Sequence, residues 1–108
     1  MANILTKEIE NRFKKYPLYS QDGKGKDSTV ILKVFNPYGA GTWLITEGEK
    51  QESGDWMFFG CIHIHEWEWG YVTLSQLEST RVNFHGCRMA LERERYESNG
   101  KYTVKDLM

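Results

Sequence analysis

The chain has little cysteine, almost no net charge and no long apolar run. Its two cysteines, Cys61 and Cys87, cannot build the multi-bridge framework of a small secreted scaffold. Two reduced thiols in a cytoplasmic protein is the expectation. A formal net charge of -1 provides no global pull toward nucleic acid or an anionic membrane. It also argues against a surface that imitates DNA, which needs a dense acidic shell. No apolar run approaches the roughly 20 residues of a membrane span. The opening MANILTKEIENRF turns charged too early for a secretory signal. Repeats, low-complexity tracts and long linkers are lacking, so residues 1–108 read as a single domain with a modest core.

What is present is aromatic: 14% of the residues are Phe, Trp or Tyr. They concentrate in residues 55–79, DWMFFGCIHIHEWEWGYVTLSQLES, around which the rest is organised. From Cys61 to Trp69 the residues alternate. On one strand, Cys61, His63, His65, Trp67 and Trp69 share a face, and Ile62, Ile64, Glu66 and Glu68 the other. Residues 67–74 either continue that strand past a bend or form a new one after a tight turn. Ser75 with Glu78 has capping-box spacing, so a short helix is expected to start near Ser75.

Earlier in the chain, Leu5, Ile9, Phe13 and Tyr16 recur at helical spacing, with Thr6 as N-cap and Pro17 as the stop. The expectation is a helix packed on a sheet, not a recognition helix. SQDGKGK (residues 20–26) reads as a surface loop, since a phosphate loop needs a lysine followed by Ser or Thr and then a helix. Strands are expected over residues 29–35, 42–47 and 55–64, with a polar loop at 48–54. Val30, Leu32 and Val34 would share a face, with Ile31, Lys33 and Phe35 on the other. The run from Met89 to Tyr96 alternates as a strand, the preferred reading, and equally fits a short charged helix; Ser98-Asn99-Gly100 is a turn. The fold expected is α+β: an antiparallel sheet of about four to six strands, an N-terminal helix on one face, and a short capped helix after the central strands.

The succession Thr42-Trp43-Leu44-Ile45-Thr46-Glu47, Phe59-Gly60, Glu68-Trp69-Gly70-Tyr71-Val72-Thr73-Leu74 with Leu77, then Leu91-Glu92-Arg93, resembles a small bacterial family. That family is the domain of unknown function 2958. The resemblance runs from about Thr6 to Tyr96. It departs at Gln76-Leu77, where the family often has Glu-Leu, and at Glu94, where it often has Asp. It implies an accessory protein of plasmids, conjugative elements and phage-related islands. It says nothing about a catalytic residue, and no cofactor is expected.

Three classes of function are open to these residues. A zinc site would draw on Cys61, His63 and His65, joined by His85 or Cys87, but the spacing lacks any paired CxxC or finger pattern. Cys61 lies in the apolar run WMFFGCI, where an inert thiol is expected rather than a nucleophile. Glu66 and Glu68 side by side lack the contrasting environments that acid–base catalysis needs. For nucleic acid, the aromatics are interleaved with Glu66 and Glu68, which repel phosphate. Arg88, Arg93 and Arg95 are matched by Glu92, Glu94 and Glu97. The preferred reading is a non-enzymatic, protein-binding module using Glu47, Glu66, Trp67, Glu68, Trp69 and Tyr71. On a mobile element its partner would be a host protein, possibly a defence nuclease, giving an anti-CRISPR or anti-restriction inhibitor. The alternative is a metal-dependent or nucleotide-handling enzyme using His63, His65 and Glu68. An exposed strand edge would allow a dimer.

Overall fold

The structure is a computed structural model and describes residues 4–84, 87–93 and 102–108. It opens on helix α1 (Lys7–Phe13), capped by Thr6, whose side chain accepts the Ile9 N–H at 3.3 Å. The chain unwinds through single turns before Pro17, with the Tyr16 N–H on the Phe13 carbonyl. Ile9 and Phe13 are buried, and Leu5 and Tyr16 pack partly buried beside them. The apolar stripe therefore does what its spacing requires: it faces a sheet and not solvent.

That sheet has five strands: β1 (Leu32–Phe35), β2 (Thr42–Lys50), β3 (Trp56–His63), β4 (Trp67–Thr73) and β7 (Glu92–Arg93). Their order is β4-β3-β2-β1-β7, and every pairing is antiparallel. Strands β5 (Arg81–Phe84) and β6 (Cys87–Ala90) form a separate hairpin. Between β4 and β5 lies the short helix α2 (Leu74–Ser79), and α3 (Val104–Leu107) follows near the end. The α+β architecture is the one expected from the sequence. No helix among the described residues is long and apolar enough to cross a membrane.

Residues 67–73 form a new strand after a tight turn, one of the two expected arrangements: β3 ends at His63 and β4 begins at Trp67, the residue paired with it. Other boundaries differ from the sequence reading. The helix cap is Thr73, not Ser75. Thr73 accepts the Gln76 N–H at 3.1 Å, and the Gln76 side chain reaches back to the Thr73 N–H at 2.9 Å. Both Thr-x-x-Gln and Ser-x-x-Glu satisfy the pattern; the earlier one lies where β4 ends. Ser75 instead ties the helix to β3, donating its N–H and its hydroxyl to Asp55 at 3.1 and 2.6 Å. The strand expected from Met89 is divided: β6 stops at Ala90, Leu91 is buried in the main core, and β7 pairs with β1. Residues 94–96, His85 and the Ser98-Asn99-Gly100 turn lie outside the described residues.

Strand β1 is shorter than expected. The Val30 N–H goes to the Tyr102 carbonyl and the Ile31 N–H to the Ile45 carbonyl. The alternation breaks there, and Ile31 joins the same core as Leu32 while Val30 faces another. Strand β2 is longer than expected and carries a bulge between Ile45 and Glu47. Before the bulge, Trp43 and Ile45 share the face of α1; after it, Gly48 and Lys50 do. The extra residue turns Glu47 over to the opposite face.

The core on the α1 side includes Phe13, Leu32, Val34, Ile45, Trp56, Phe58 and Leu77. Phe13 sits 5.3 Å from Phe58 and 5.9 Å from Trp56, ring centre to ring centre. Burying a ring such as Phe13 contributes about 2–3 kcal/mol. On the opposite face Val30, Leu44, Cys61 and Val104 form a smaller core, flanked by Trp67 and Leu107 of α3. Helix α3 covers only part of that face.

Candidate protein-binding surface

The rest of the second face is aromatic. In register, Phe59 pairs with Tyr71, Cys61 with Trp69 and His63 with Trp67, so all six side chains leave the sheet on one side. Cys61 is sealed under the α3 core and Trp67 flanks it, half-buried. The Phe59 and Trp69 rings stack at 5.7 Å with 17° between planes, and Phe59 meets Tyr71 at 4.9 Å. Trp69 is 41% exposed and Tyr71 53%. Tyr19, 64% exposed, joins from the loop after α1 and stands beside Tyr71. The neighbouring Tyr19 hydroxyl, foremost, pushes the Tyr71 phenol above its ordinary pKa.

Glu47 holds this loop in place. It is 2% exposed, and its two carboxylate oxygens accept the Tyr19 N–H at 2.7 Å and the Gln21 N–H at 2.9 Å. The Gln21 side chain, buried beside it, bonds the backbone of Thr29 and Thr46. Tyr19 has φ of 72°, a left-handed conformation that no other described non-glycine residue adopts. Such a residue carries about 1–3 kcal/mol of strain and persists only where its surroundings over-determine it. Here two hydrogen bonds to a buried carboxylate do so. Glu47 is therefore not a contact residue of the surface, as the sequence reading had it, but the buried support of Tyr19. The reason is the bulge, which aims the side chain beneath the loop.

Glu66 and Glu68 are exposed at the hairpin end, Glu66 in the turn and Glu68 on β4. With Ile62, Ile64 and His65 they line a shallow cavity of about 430 Å³ on the α1 side of the sheet. The acidic residues and the aromatic ribbon thus occupy the two faces of one edge strand, β4. Among the described residues no strand pairs with the outer edge of β4.

The residues named for metal or catalysis are separated by the turn. The His63 ring leans on Trp67 at 4.9 Å, on the aromatic face, while His65 lies beside Glu68 in the cavity of the other face. Histidines that alternate along one strand would share a face; the hairpin sends them to opposite sides. Cys61 is buried, and burial pushes its thiol pKa up. Among the described residues no group of three or more His, Cys, Asp or Glu is placed to hold a metal ion. Tyr19 and Phe59 are not among the surface residues expected from the sequence. Phe59 was legible as a strand residue on the Cys61 face, whereas nothing local marks Tyr19, some fifty residues from its partner Tyr71.

Residues 4–102 match the family model described as "Protein of unknown function (DUF2958)", and the chain belongs to that family. No curated protein and no solved structure matches it.

Proposed function

We propose that the protein is a non-enzymatic binding module of a mobile element that docks on a host protein and inhibits it. The observation that carries the reading is the exposed stack of Phe59, Trp69 and Tyr71, extended by Tyr19, on the part of the sheet that α3 leaves open. Exposed Trp and Tyr on a rigid strand are the side chains that supply most interface energy, because they bury large area at little cost in conformational entropy. Glu66 and Glu68 at the same edge favour a basic partner. A defence nuclease, whose DNA-contact surface is basic, fits that chemistry and the mobile-element setting that the family resemblance implies. The acidic edge would then compete with the effector's contacts to DNA, as in an anti-CRISPR or anti-restriction inhibitor.

The test is affinity capture from a host lysate, followed by binding and cleavage assays with the purified nuclease recovered. Trp69→Ala and Tyr71→Ala should each weaken binding by about 2–4 kcal/mol without moving the melting temperature. Full affinity in the double variant, or no effect of the protein on the nuclease, overturns the proposal. The competing reading is a metal-dependent or nucleotide-handling enzyme using His63, His65 and Glu68. It would be favoured by stoichiometric zinc or manganese in the purified protein that is lost in His65→Ala.

A further inference from the structure

The two edges of the five-stranded sheet are built differently. One edge is β7, only two residues long, Glu92 and Arg93, both charged. Short, charged edge strands resist pairing with another chain. The other edge is β4, seven residues long, WEWGYVT. It has no proline, no lysine and no bulge: its register against β3 runs unbroken from Met57 opposite Thr73 to His63 opposite Trp67. Among the described residues, the main chain from Trp67 to Val72 bonds only to β3. Every second residue of β4 therefore turns an unpaired N–H and C=O outward, and such a row is a template for a further strand.

The midpoint of β4 is Gly70. Glycine weakens a strand interior, and it marks a bulge, a bend or a close approach by other backbone. Nothing within the chain requires it here. The pairing around Gly70 is regular and its φ is not positive. A Cβ at this position would meet only Ile62 Cδ1, at an ordinary 3.9 Å.

We propose that β4 pairs antiparallel with β4 of a second copy, about a two-fold axis at Gly70. This register uses all seven residues of both strands. On the aromatic face it sets Trp69 against Tyr71 of the second copy, and the symmetry repeats the pair; aromatic cross-strand pairs stabilise a sheet. On the α1 face Glu68 meets Val72 of the second copy, so acid never opposes acid. The two Glu68 side chains stand four residues apart along the strands, about 13 Å, beyond the Debye length of about 8 Å at physiological salt. The pairing joins two five-stranded sheets into one of ten strands with a charged β7 at each end. The assembly is thus closed, as a two-fold contact requires, and presents no second open edge for growth. Seven residues a side is fewer than the roughly 20–30 of a standard interface, so the dimer forms as a function of concentration. Edge pairing leaves the ring faces uncovered, so it does not depend on docking to a host protein.

The experiment is sedimentation equilibrium of the full chain from micromolar to millimolar concentration, with NMR amide exchange at both ends of that range. The mass should rise toward twice the 12.7 kDa of one chain. The outward amides of residues 67–73 should exchange more slowly as it does. Gly70→Lys sets two ammonium groups against each other at the axis and should weaken dimerisation about fivefold. Gly70→Glu should act alike, and mixing the two variants should restore pairing, because opposite charges then meet at the axis. Space for a Cβ means that both variants should fold, which their spectra verify. Should they not fold, the concentration dependence of β4 amide exchange in the native chain decides. A chain that stays monomeric throughout overturns the proposal and leaves the edge to a strand of another protein. A dimer whose β4 amides exchange as fast as the monomer's is joined through its aromatic faces, and overturns it too. Dimerisation unchanged in both variants overturns the axis at Gly70.

Discussion

The buried carboxylate of Glu47 accepts the main-chain N–H of Tyr19 at 2.7 Å, and so holds in a left-handed conformation the residue whose ring stands beside Tyr71. A core interaction thereby sets the shape of an exposed surface. Glu47→Ala leaves the Tyr19 and Gln21 N–H groups without their acceptor. A loss of about 2–4 kcal/mol in unfolding free energy is expected in urea titrations, because hydrogen bonds to a charged acceptor contribute about 1.5–3 kcal/mol each and do not add in full. Partner binding should weaken in parallel. A variant as stable as the native chain would contradict this role.

Tyr19→Gly separates the two functions of that loop. Glycine adopts positive φ without strain, which offsets its greater freedom in the unfolded chain. The unfolding free energy should stay within about 1 kcal/mol of native while docking weakens. A large loss of stability would instead make the Tyr19 ring a structural element.

Gly60 sits in β3 opposite Ile45, beside the bulge. A Cβ there would collide with the Leu44 carbonyl oxygen and lie 2.8 Å from Ile45 Cα, both backbone atoms in the middle of the sheet. Neither can move without parting β2 from β3. Gly60→Ala should therefore cost about 3 kcal/mol or more, visible as a large drop in melting temperature or as insoluble protein.

Asp55 links the start of β3 to the start of α2. The Ser75 hydroxyl, then the Trp56 N–H, hold its carboxyl below the ordinary pKa. A carboxyl with a depressed folded pKa stabilises the fold above its unfolded value of about 4, and that contribution is lost as pH falls through the folded value. Asp106, lowered chiefly by the Thr103 N–H, acts in the same direction. Melting temperatures should thus fall on acidification below about pH 4, and Asp55→Asn should lessen that fall. An unchanged slope in the variant would show that Asp55 does not contribute.

The two thiols should react in sequence. Cys87 is exposed, whereas Cys61 is buried with its pKa raised by desolvation. A thiol reagent at neutral pH should modify one site in the native protein and the second only in denaturant. Equal rates at both would contradict the packing of Cys61 under α3.

Periodicity and local chemistry made much of this chain readable in advance. The stripe Ile9 and Phe13, the Thr6 cap, the central strands, the short helix with Leu77 and the α+β class all rest on neighbours within a few residues, where spacing is enough to assign a face. Even the placement of Trp67 and Trp69 with Cys61 and His63 survived the replacement of one strand by a hairpin. The three-residue turn preserves the alternation, and only the turn residue His65 changed sides.

Three things were decided only by the tertiary structure. One extra residue between Ile45 and Glu47 reversed the faces of β2 and carried a glutamate from the expected surface into the interior. Asp55 took Ser75 from its expected cap and left the cap to Thr73. Tyr19 reached Tyr71 through a loop held by Glu47. Each depends on a contact between residues distant in the chain, and alternation along a strand or spacing along a helix contains no term for such a contact.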